Sequence, residues 1–446
     1  MIYFCYFMFF TSESFINSPY NKLSDLFSNT IIRGDIVSSD GHILATTDVD
    51  EDGNETRNYP YGDMFAHVVG YSSNGKSGLE NQMNFSLLRS NTFFVDYLIN
   101  DLSGQKNEGD TVITTLDYSI QEAAYQALGD ADGAVVVMEP STGKILAMVS
   151  KPDFDPNTVE ENWETINSEG STVLYNRVTQ GQYAPGSVFK IFTTLEFYRE
   201  NPTAFSSYEF NCSGSFSSDG KTIHCASNEL HGTEDIISSF ANSCNSSYAN
   251  ISLQLNMDDF NDTLKGLLFD TDLPISLESK RSSTNISSDS STSLIMETAI
   301  GQGSTYVSPF HMVLIASAIC HDGILMKPYL VQQITNKAGA NVQTFSSSEY
   351  KTLFSKDEAD MLESCMKAVI SSGTATLLSD QSYDAYGKTG TAQVSDTDDT
   401  ENSWFVGYAK QDGYEDIAIA VIVEDKNNAG FSGTNVAKKV FDAYFN

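Results

Sequence analysis

The sequence predicts an α+β fold: an antiparallel sheet, divided in the chain by a helical insertion and preceded by a separate N-terminal module. Three observations predict it. A hairpin pattern at 133–150 stands far in sequence from three strand-like runs at 386–394, 402–410 and 416–424. Helical patterns at 186–200, 235–256 and 356–370 fill the interval. The chain has 446 residues, more than one ordinary core accommodates.

Residues 1–10 are all apolar or aromatic, enough for roughly 15 Å of helix, about half a bilayer core. No Lys or Arg precedes them, the first basic residue being Lys22, and no small-residue cleavage site follows. They are expected to be the outer half of a membrane anchor. Residues 31–37, a turn and residues 42–45 read as a hairpin, followed by an acidic loop at 48–55 and an apolar run at 65–71. Residues 84–102 have amphipathic helical spacing. A strand is expected at 111–116, then a helix to about 128 capped by Asp117 or by Ser119, which has capping-box spacing to Glu122. Two apolar runs, 133–139 and 144–150, flank the turn Pro140-Ser141-Thr142-Gly143. Serine-rich residues 282–293 read as a loop, and a last helix starts near 434. The expected division is a partial anchor at 1–10, an elongated non-catalytic module at 11–130 and a catalytic domain at 131–446.

Composition narrows the function. With 25 basic against 59 acidic residues, the net charge of -34 repels nucleic acid and anionic lipid. Apolar residues at 40% supply a packed interior. The 6 cysteines are too sparse for a disulfide scaffold; Cys212 and Cys225 alone suggest a local pair, with two free thiols the equal alternative. The histidines are scattered, and neither HExxH nor paired CxxC occurs, so no metal site or cofactor is expected.

The chemistry candidates are Ser187-Val188-Phe189-Lys190, Ser243-Cys244-Asn245 and Lys388-Thr389-Gly390. Each pattern alone is weak. Ser-x-x-Lys recurs at Ser73/Lys76, Ser141/Lys144, Ser218/Lys221 and Ser348/Lys351, and Ser-x-Asn recurs at Ser72/Asn74 and Ser283/Asn285. Context separates them. Ser187 follows Tyr183-Ala184-Pro185-Gly186 and opens an apolar helix, so its hydroxyl and the Lys190 amine share one face near free N–H groups. Ser141 lies in a turn, Ser73 and Ser218 in loops, and Ser348 ahead of a weak helical pattern without partner motifs. Only the set at 187, 243 and 388 puts one motif on a helix, one on a turn of the insertion and one on a strand.

This trio, with Gly133-Ala134-Val135-Val136, Thr142-Gly143-Lys144-Ile145, Ile300-Gly301-Gln302-Gly303 and Trp404-Phe405-Val406-Gly407-Tyr408, resembles the class B penicillin-binding proteins. Arg33-Gly34-Asp35 and Gly78-Leu79-Glu80 resemble the pedestal of that family, so the likeness runs from about residue 31 to the end. It implies a five-stranded antiparallel sheet flanked by helices, with an all-helical insertion. It implies D,D-transpeptidation of peptidoglycan stem peptides ending in D-Ala-D-Ala, and covalent capture of β-lactams. Ser187 would be the nucleophile and Lys190 its base, depressed by burial and by the charge of Lys388. Ser243 would relay the proton, Asn245 would orient Lys190, and Thr389, Gly390 and Thr391 with Lys388 would grip the substrate carboxylate. Backbone N–H groups of Ser187 and Thr391 would form the oxyanion hole. The likeness further implies a membrane glycan polymerase as partner and a single-pass anchor with the catalytic domain outside the cytoplasm. Cys244 reads as a small buried filler and His231-Gly232 as a structural loop.

Three other readings compete. A serine β-lactamase would carry a Glu-x-x-Leu-Asn loop between the second and third motifs, which is missing, and has no use for the N-terminal module. A D,D-carboxypeptidase differs only in passing the acyl group to water. A non-enzymatic cell-wall scaffold predicts a broken motif, and all three are intact.

Overall fold

The structure, a computed structural model, describes residues 30–92, 99–100, 102–394 and 400–446. The apolar run at 1–10 lies outside them. Among the described residues no helix is long and apolar enough to cross a membrane. The chain forms two compact units. Among the described residues, one comprises those from 30 to 121 with 152–175 and 329–346, and the other 122–151, 176–328 and those from 347 to 446.

The first unit is built on a six-stranded sheet. Ile36–Val37 pairs antiparallel with Ile43–Val49, the expected hairpin, and parallel with Thr111–Thr114. Val331–Thr335 and Asn341–Thr344 extend the sheet on one side and Glu55–Asn58 on the other. The helix after Thr111–Thr114 is capped by Asp117, whose carboxylate accepts from the Ile120 N–H at 3.0 Å, so Asp117 and not Ser119 starts it. Over 84–102 the expected helix is not continuous: Asn84–Leu87 is helical and residues 88–92 are not, while 93–98 and 101 lie outside the described residues.

The two pedestal-like motifs meet inside this unit. Glu80 is completely buried. Its carboxylate accepts from Arg33 Nε at 2.6 Å, Arg57 Nε at 2.7 Å and the Tyr59 hydroxyl at 3.3 Å. Burial alone would raise its pKa, but the two guanidiniums outweigh that and hold it below the ordinary value.

The second unit contains a five-stranded antiparallel sheet in the order Asp384–Gln393, Glu401–Lys410, Ile417–Val423, Gly133–Met138, Ile145–Lys151. The last two strands in space are the first in sequence, as the distant hairpin predicts. Ile417–Val423 and Gly133–Met138 are continuous apolar runs, buried at every residue, which places them in the middle of the sheet. Cover comes from Pro309–Cys320, a helix buried at all positions, and from Gly433–Phe445, both packed on Ile417–Val423. The insertion is helical at Lys190–Glu200, Ile236–Ala241, Asn245–Ser252 and Met257–Gly266, but also carries two small ribbons that its sequence does not announce. Ser215–Ser218 pairs with Lys221–His224, and Phe210–Cys212 with Gly232–Glu234. Ser348 precedes a short strand, Glu349–Thr352, and the helix expected at 356–370 follows as Lys356–Ser371.

Breaking the Glu80 cluster leaves two buried guanidiniums uncompensated. Glu80→Ala is expected to destabilise the first unit by about 3–5 kcal/mol, seen in calorimetry as an early transition; an unchanged melting profile would show that the cluster does not stabilise the unit.

Candidate active site

The nucleophile candidate sits on a single 3₁₀ turn, Gly186–Phe189, which runs directly into the helix Lys190–Glu200. That turn is wedged into place by backbone. Gly186 has φ +54°, and a Cβ there would lie 2.4 Å from the Thr391 carbonyl oxygen. A Cβ on Gly301 would lie 2.0 Å from the Gly186 oxygen. The Gly186 N–H donates to the Gly301 carbonyl at 2.9 Å, and the buried Trp404 indole donates to the Ala184 carbonyl at 3.1 Å. Ser187 is therefore pressed against the strand Asp384–Gln393 with no side chain between.

All three motifs converge. The Lys190 amine, completely buried, lies 2.9 Å from Ser187 Oγ, 2.7 Å from the Ser243 carbonyl oxygen, 3.1 Å from Ser243 Oγ and 2.7 Å from Asn245 Oδ1. Lys388, also completely buried, donates to Ser243 Oγ at 2.9 Å and to the Thr389 carbonyl at 3.0 Å. Ser243 Oγ thus lies between two amines. The Asn245 amide is oriented by its Nδ2, which donates to the His224 carbonyl at 3.0 Å and so aims Oδ1 at Lys190.

Ser243 is where the expected helix over 235–256 breaks. Ile236–Ala241 ends, Ser243 takes φ +58°, and Cys244 caps Asn245–Ser252 with its sulfur accepting from the Ser247 N–H. A non-glycine residue in this left-handed region costs on the order of 1–3 kcal/mol. The strain turns both its carbonyl and its hydroxyl toward Lys190.

Electrostatics favour a neutral amine. Burial draws the Lys190 pKa down to about 7, against the opposing pull of Cys244, Cys225 and Glu234. Burial, then the nearby Lys190 charge, draw Lys388 well below its ordinary value. The like-charge repulsion expected to act on Lys190 is thus felt at Lys388.

Of the substrate-gripping candidates, Thr391 is exposed and Thr389 half-buried, its hydroxyl sharing a short hydrogen bond with Thr374. Thr374 was not singled out by sequence, because no motif marks it. Lys388 is bonded inward, which leaves the two threonine hydroxyls as the groups facing outward. Gly390 serves by its size: a Cβ would lie 2.9 Å from the Pro185 carbonyl oxygen and 3.0 Å from Val188 Cγ1.

The sulfur of Cys212 lies 3.6 Å from that of Cys225, so the suggested pair is unbonded and all the described cysteines are free thiols. The scattered histidines hide one gathering. Cys212, Cys225, His231 and Cys244 come together, with donor atoms within 4.8 Å of one another. Cys244 is fully buried, as its reading as a small filler expects, and His231 lies outside any helix or strand.

Comparison with known proteins agrees with this geometry. A family model of the penicillin binding protein transpeptidase domain matches residues 133–446, and one of the penicillin binding protein A dimerisation domain matches 33–112. The peptidoglycan D,D-transpeptidase PbpA of Mycolicibacterium smegmatis is 28% identical, over 93% of this chain and 88% of that protein. Penicillin-binding protein 3 of Bacillus subtilis is 27% identical, over 87% of this chain and 62% of that one. The crystal structure of the D,D-transpeptidase domain of a peptidoglycan glycosyltransferase from Eggerthella lenta superposes with a TM-score of 0.82 at 28% identity, covering 93% of this chain and 98% of that one. A penicillin G acyl-enzyme complex of penicillin-binding protein A from M. tuberculosis, 23% identical, shares the fold with a TM-score of 0.82, covering 94% and 100%. With its own Ser-x-x-Lys, Ser-x-Asn and Lys-Thr-Gly motifs gathered on one side of a five-stranded sheet, the chain belongs to the penicillin-binding protein transpeptidase family.

Proposed function

We propose that this chain is an extracytoplasmic peptidoglycan D,D-transpeptidase, acylated at Ser187 by stem peptides ending in D-Ala-D-Ala and by β-lactams. The observation that carries the reading is the hydrogen-bond arithmetic at Lys190. A neutral amine has two hydrogens and one lone pair. The Ser243 carbonyl and Asn245 Oδ1, both 2.7 Å away, can only accept, so they take the two hydrogens. The lone pair then faces Ser187 Oγ at 2.9 Å and accepts its proton. Such general-base help is worth about 10²–10⁴ in rate.

The reaction follows atom by atom. Ser187 Oγ bonds to the carbonyl carbon of the penultimate D-Ala as its proton passes to Lys190. The oxyanion is held by the backbone N–H groups of Ser187 and Thr391, where one such donor is worth about 3–4 kcal/mol. Support for that pair is the closeness of the Gly186 turn to Thr391. The amide C–N bond breaks as Ser243 Oγ gives the leaving amine a proton, which Lys190, holding the proton it took from Ser187, restores across its 3.1 Å contact with Ser243 Oγ. Thr389 and Thr391 hydroxyls hold the terminal carboxylate, with Lys388 behind them as an electrostatic support. The remaining hydrogen of Asn245 Nδ2 binds the substrate amide. An amine of a second stem peptide then attacks the ester carbonyl, its proton passing through Ser243 to Lys190, and as the acyl C–O bond breaks Lys190 returns a proton to Ser187 Oγ. The apolar run at 1–10 supports a single-pass anchor, and the likeness of the first unit to the pedestal of the family supports a membrane glycan polymerase as partner.

Fluorescent penicillin should label the protein covalently, and Ser187→Ala should abolish labelling. Lys190→Ala should slow labelling by about 10²-fold or more. With a stem-peptide substrate and an added amine, the product should be the amide. No label on the unaltered protein would overturn the acyl-enzyme, whereas free acid despite the amine would make it a carboxypeptidase.

The pH dependence has a definite sign. Lys190 acts as base only when neutral, and its pKa is lowered to about 7. The groups facing it are the Lys388 amine, the Tyr248 ring and, farther off, Cys244, Cys225 and Glu234. The second-order labelling rate should therefore be flat above about pH 8 and fall toward tenfold per pH unit below about pH 6. A rate still rising at about pH 10 would show an unperturbed lysine.

A further inference from the structure

A loop outside all three motifs joins the second to the third. The helix Lys356–Ser371 packs on both Ile236–Ala241 and Asp384–Gln393, and residues 372–375 follow it. Main chain holds this loop in place. The Ala375 N–H donates to the Val369 carbonyl at 3.0 Å, and the Thr374 N–H to the Ala241 carbonyl at 3.2 Å. A Cβ on Gly373 would lie 2.3 Å from that Ala241 oxygen, so only glycine lets the two stretches of chain come this close. Ala241 ends its helix just ahead of Asn242 and Ser243. Thr374 itself is exposed, and its hydroxyl meets that of Thr389 in a short hydrogen bond.

We propose that Thr374 is a positioning residue for the carboxylate grip: it donates to Thr389 Oγ1 and turns the one hydroxyl hydrogen of Thr389 toward the terminal carboxylate of the substrate. The inference rests on the transpeptidase reading and deepens it, extending the grip to a residue that lies in none of the motifs.

The direction of the bond follows from counting hydrogens. A threonine hydroxyl has one hydrogen to donate and two lone pairs, whereas an ionised carboxylate only accepts. Thr389 holds a carboxylate only by donating that hydrogen to it. Its bond with Thr374 must then run from the Thr374 hydroxyl to Thr389 Oγ1. The opposite direction would turn the lone pairs of Thr389 toward a negative group.

Everything else about Thr389 is already fixed. Its carbonyl accepts from Lys388 Nζ at 3.0 Å, and its backbone pairs with Phe405 in the sheet. Side chains alternate along a strand, so Thr389 and Thr391 share a face while Lys388 lies buried on the other. The rotation of the Thr389 hydroxyl is the freedom that the strand leaves, and Thr374 removes it. A hydroxyl that accepts one hydrogen bond is also a stronger donor in the next, which favours the charged acceptor most. Because the Thr374 N–H is tied to Ala241, the residue that orients the grip keeps its place relative to the turn carrying Ser243.

Fluorescent penicillin and its methyl ester test this, because they differ only in the charge of the group that stands in for the terminal carboxylate of the peptide. The unaltered protein should be labelled faster by the acid than by the ester. In Thr374→Val the ratio of the two second-order labelling rates should fall roughly two- to tenfold, the size of one hydrogen bond, and Thr374→Ser should restore it. Both rates are read on one preparation, so the ratio does not depend on how much of a variant is folded. In a Thr389→Val background, adding Thr374→Val should change the ratio no further. An unchanged ratio in Thr374→Val alone would overturn the inference. A further fall in the Thr389→Val background would overturn its action through Thr389. No label on the unaltered protein would overturn the acyl-enzyme, and this inference with it.

Discussion

A buried amine with more acceptors than hydrogens is the interaction on which the site depends. Lys190 faces two carbonyl oxygens and two hydroxyls within 3.1 Å, and among the described residues no carboxylate forms an ion pair with it. An ammonium there would lack the compensating anion that buried charges require. The neutral amine fits the proposed role, because its two hydrogens go to the two oxygens that cannot donate and its lone pair goes to the Ser187 hydroxyl. Basicity and orientation thus have the same origin: the apolar surroundings remove the charge, and the two fixed carbonyls aim what remains. Lys388 repeats the device one step out, buried and turned to Ser243.

Such an arrangement needs main chain to approach main chain. The 3₁₀ turn carrying Ser187 lies between Thr391 on one side and Gly301 on the other, at separations that exclude a methyl group at Gly186 and at Gly301. Gly390 meets the same turn from the strand. These glycines let the main chain of the Ser187 turn approach that of Thr391 and of Gly301, an approach that side chains on a helix and a strand would otherwise prevent. The middle residue of the Lys-Thr-Gly motif adds a hydroxyl, the last removes a side chain, and the lysine is sealed underneath.

Much of this was legible because the motifs sit on elements with clear periodicity. The hairpin at 133–150 and the strands near 386, 402 and 416 are apolar in the manner of buried strands, and the 446-residue chain closes them into one sheet. The segments Arg33-Gly34-Asp35 and Gly78-Leu79-Glu80 stood out by resemblance, and the structure joins them through the Glu80 carboxylate, shared with Arg57. Elsewhere the periodic signal misled. Residues 235–256 keep helical spacing through Ser243, since one left-handed residue leaves the apolar pattern on either side intact. The ribbons between Phe210 and Glu234 are too short to show alternation. Residues 84–102 carry an amphipathic pattern, yet the helix at Asn84–Leu87 ends within a turn. The Cys/His cluster escaped because its members come from four separate elements, and short-spacing signatures see only ligands that share a loop.

The places where periodicity fails are the places where the chemistry is assembled. A straight helix through Ser243 would commit its carbonyl to the next turn of helix and carry its hydroxyl away from Lys190; the break frees both. That conformation is strained, so it persists only where neighbours over-determine it. Two neighbours do so: the Asn245 amide, tied to the His224 carbonyl, and the Cys244 sulfur, which caps the following helix and faces Cys225. Both ties lead to the ribbons between Phe210 and Glu234. The part the ribbons play is mechanical: they keep a costly turn from relaxing, and through it they hold the Ser243 carbonyl and Asn245 Oδ1 against the Lys190 amine.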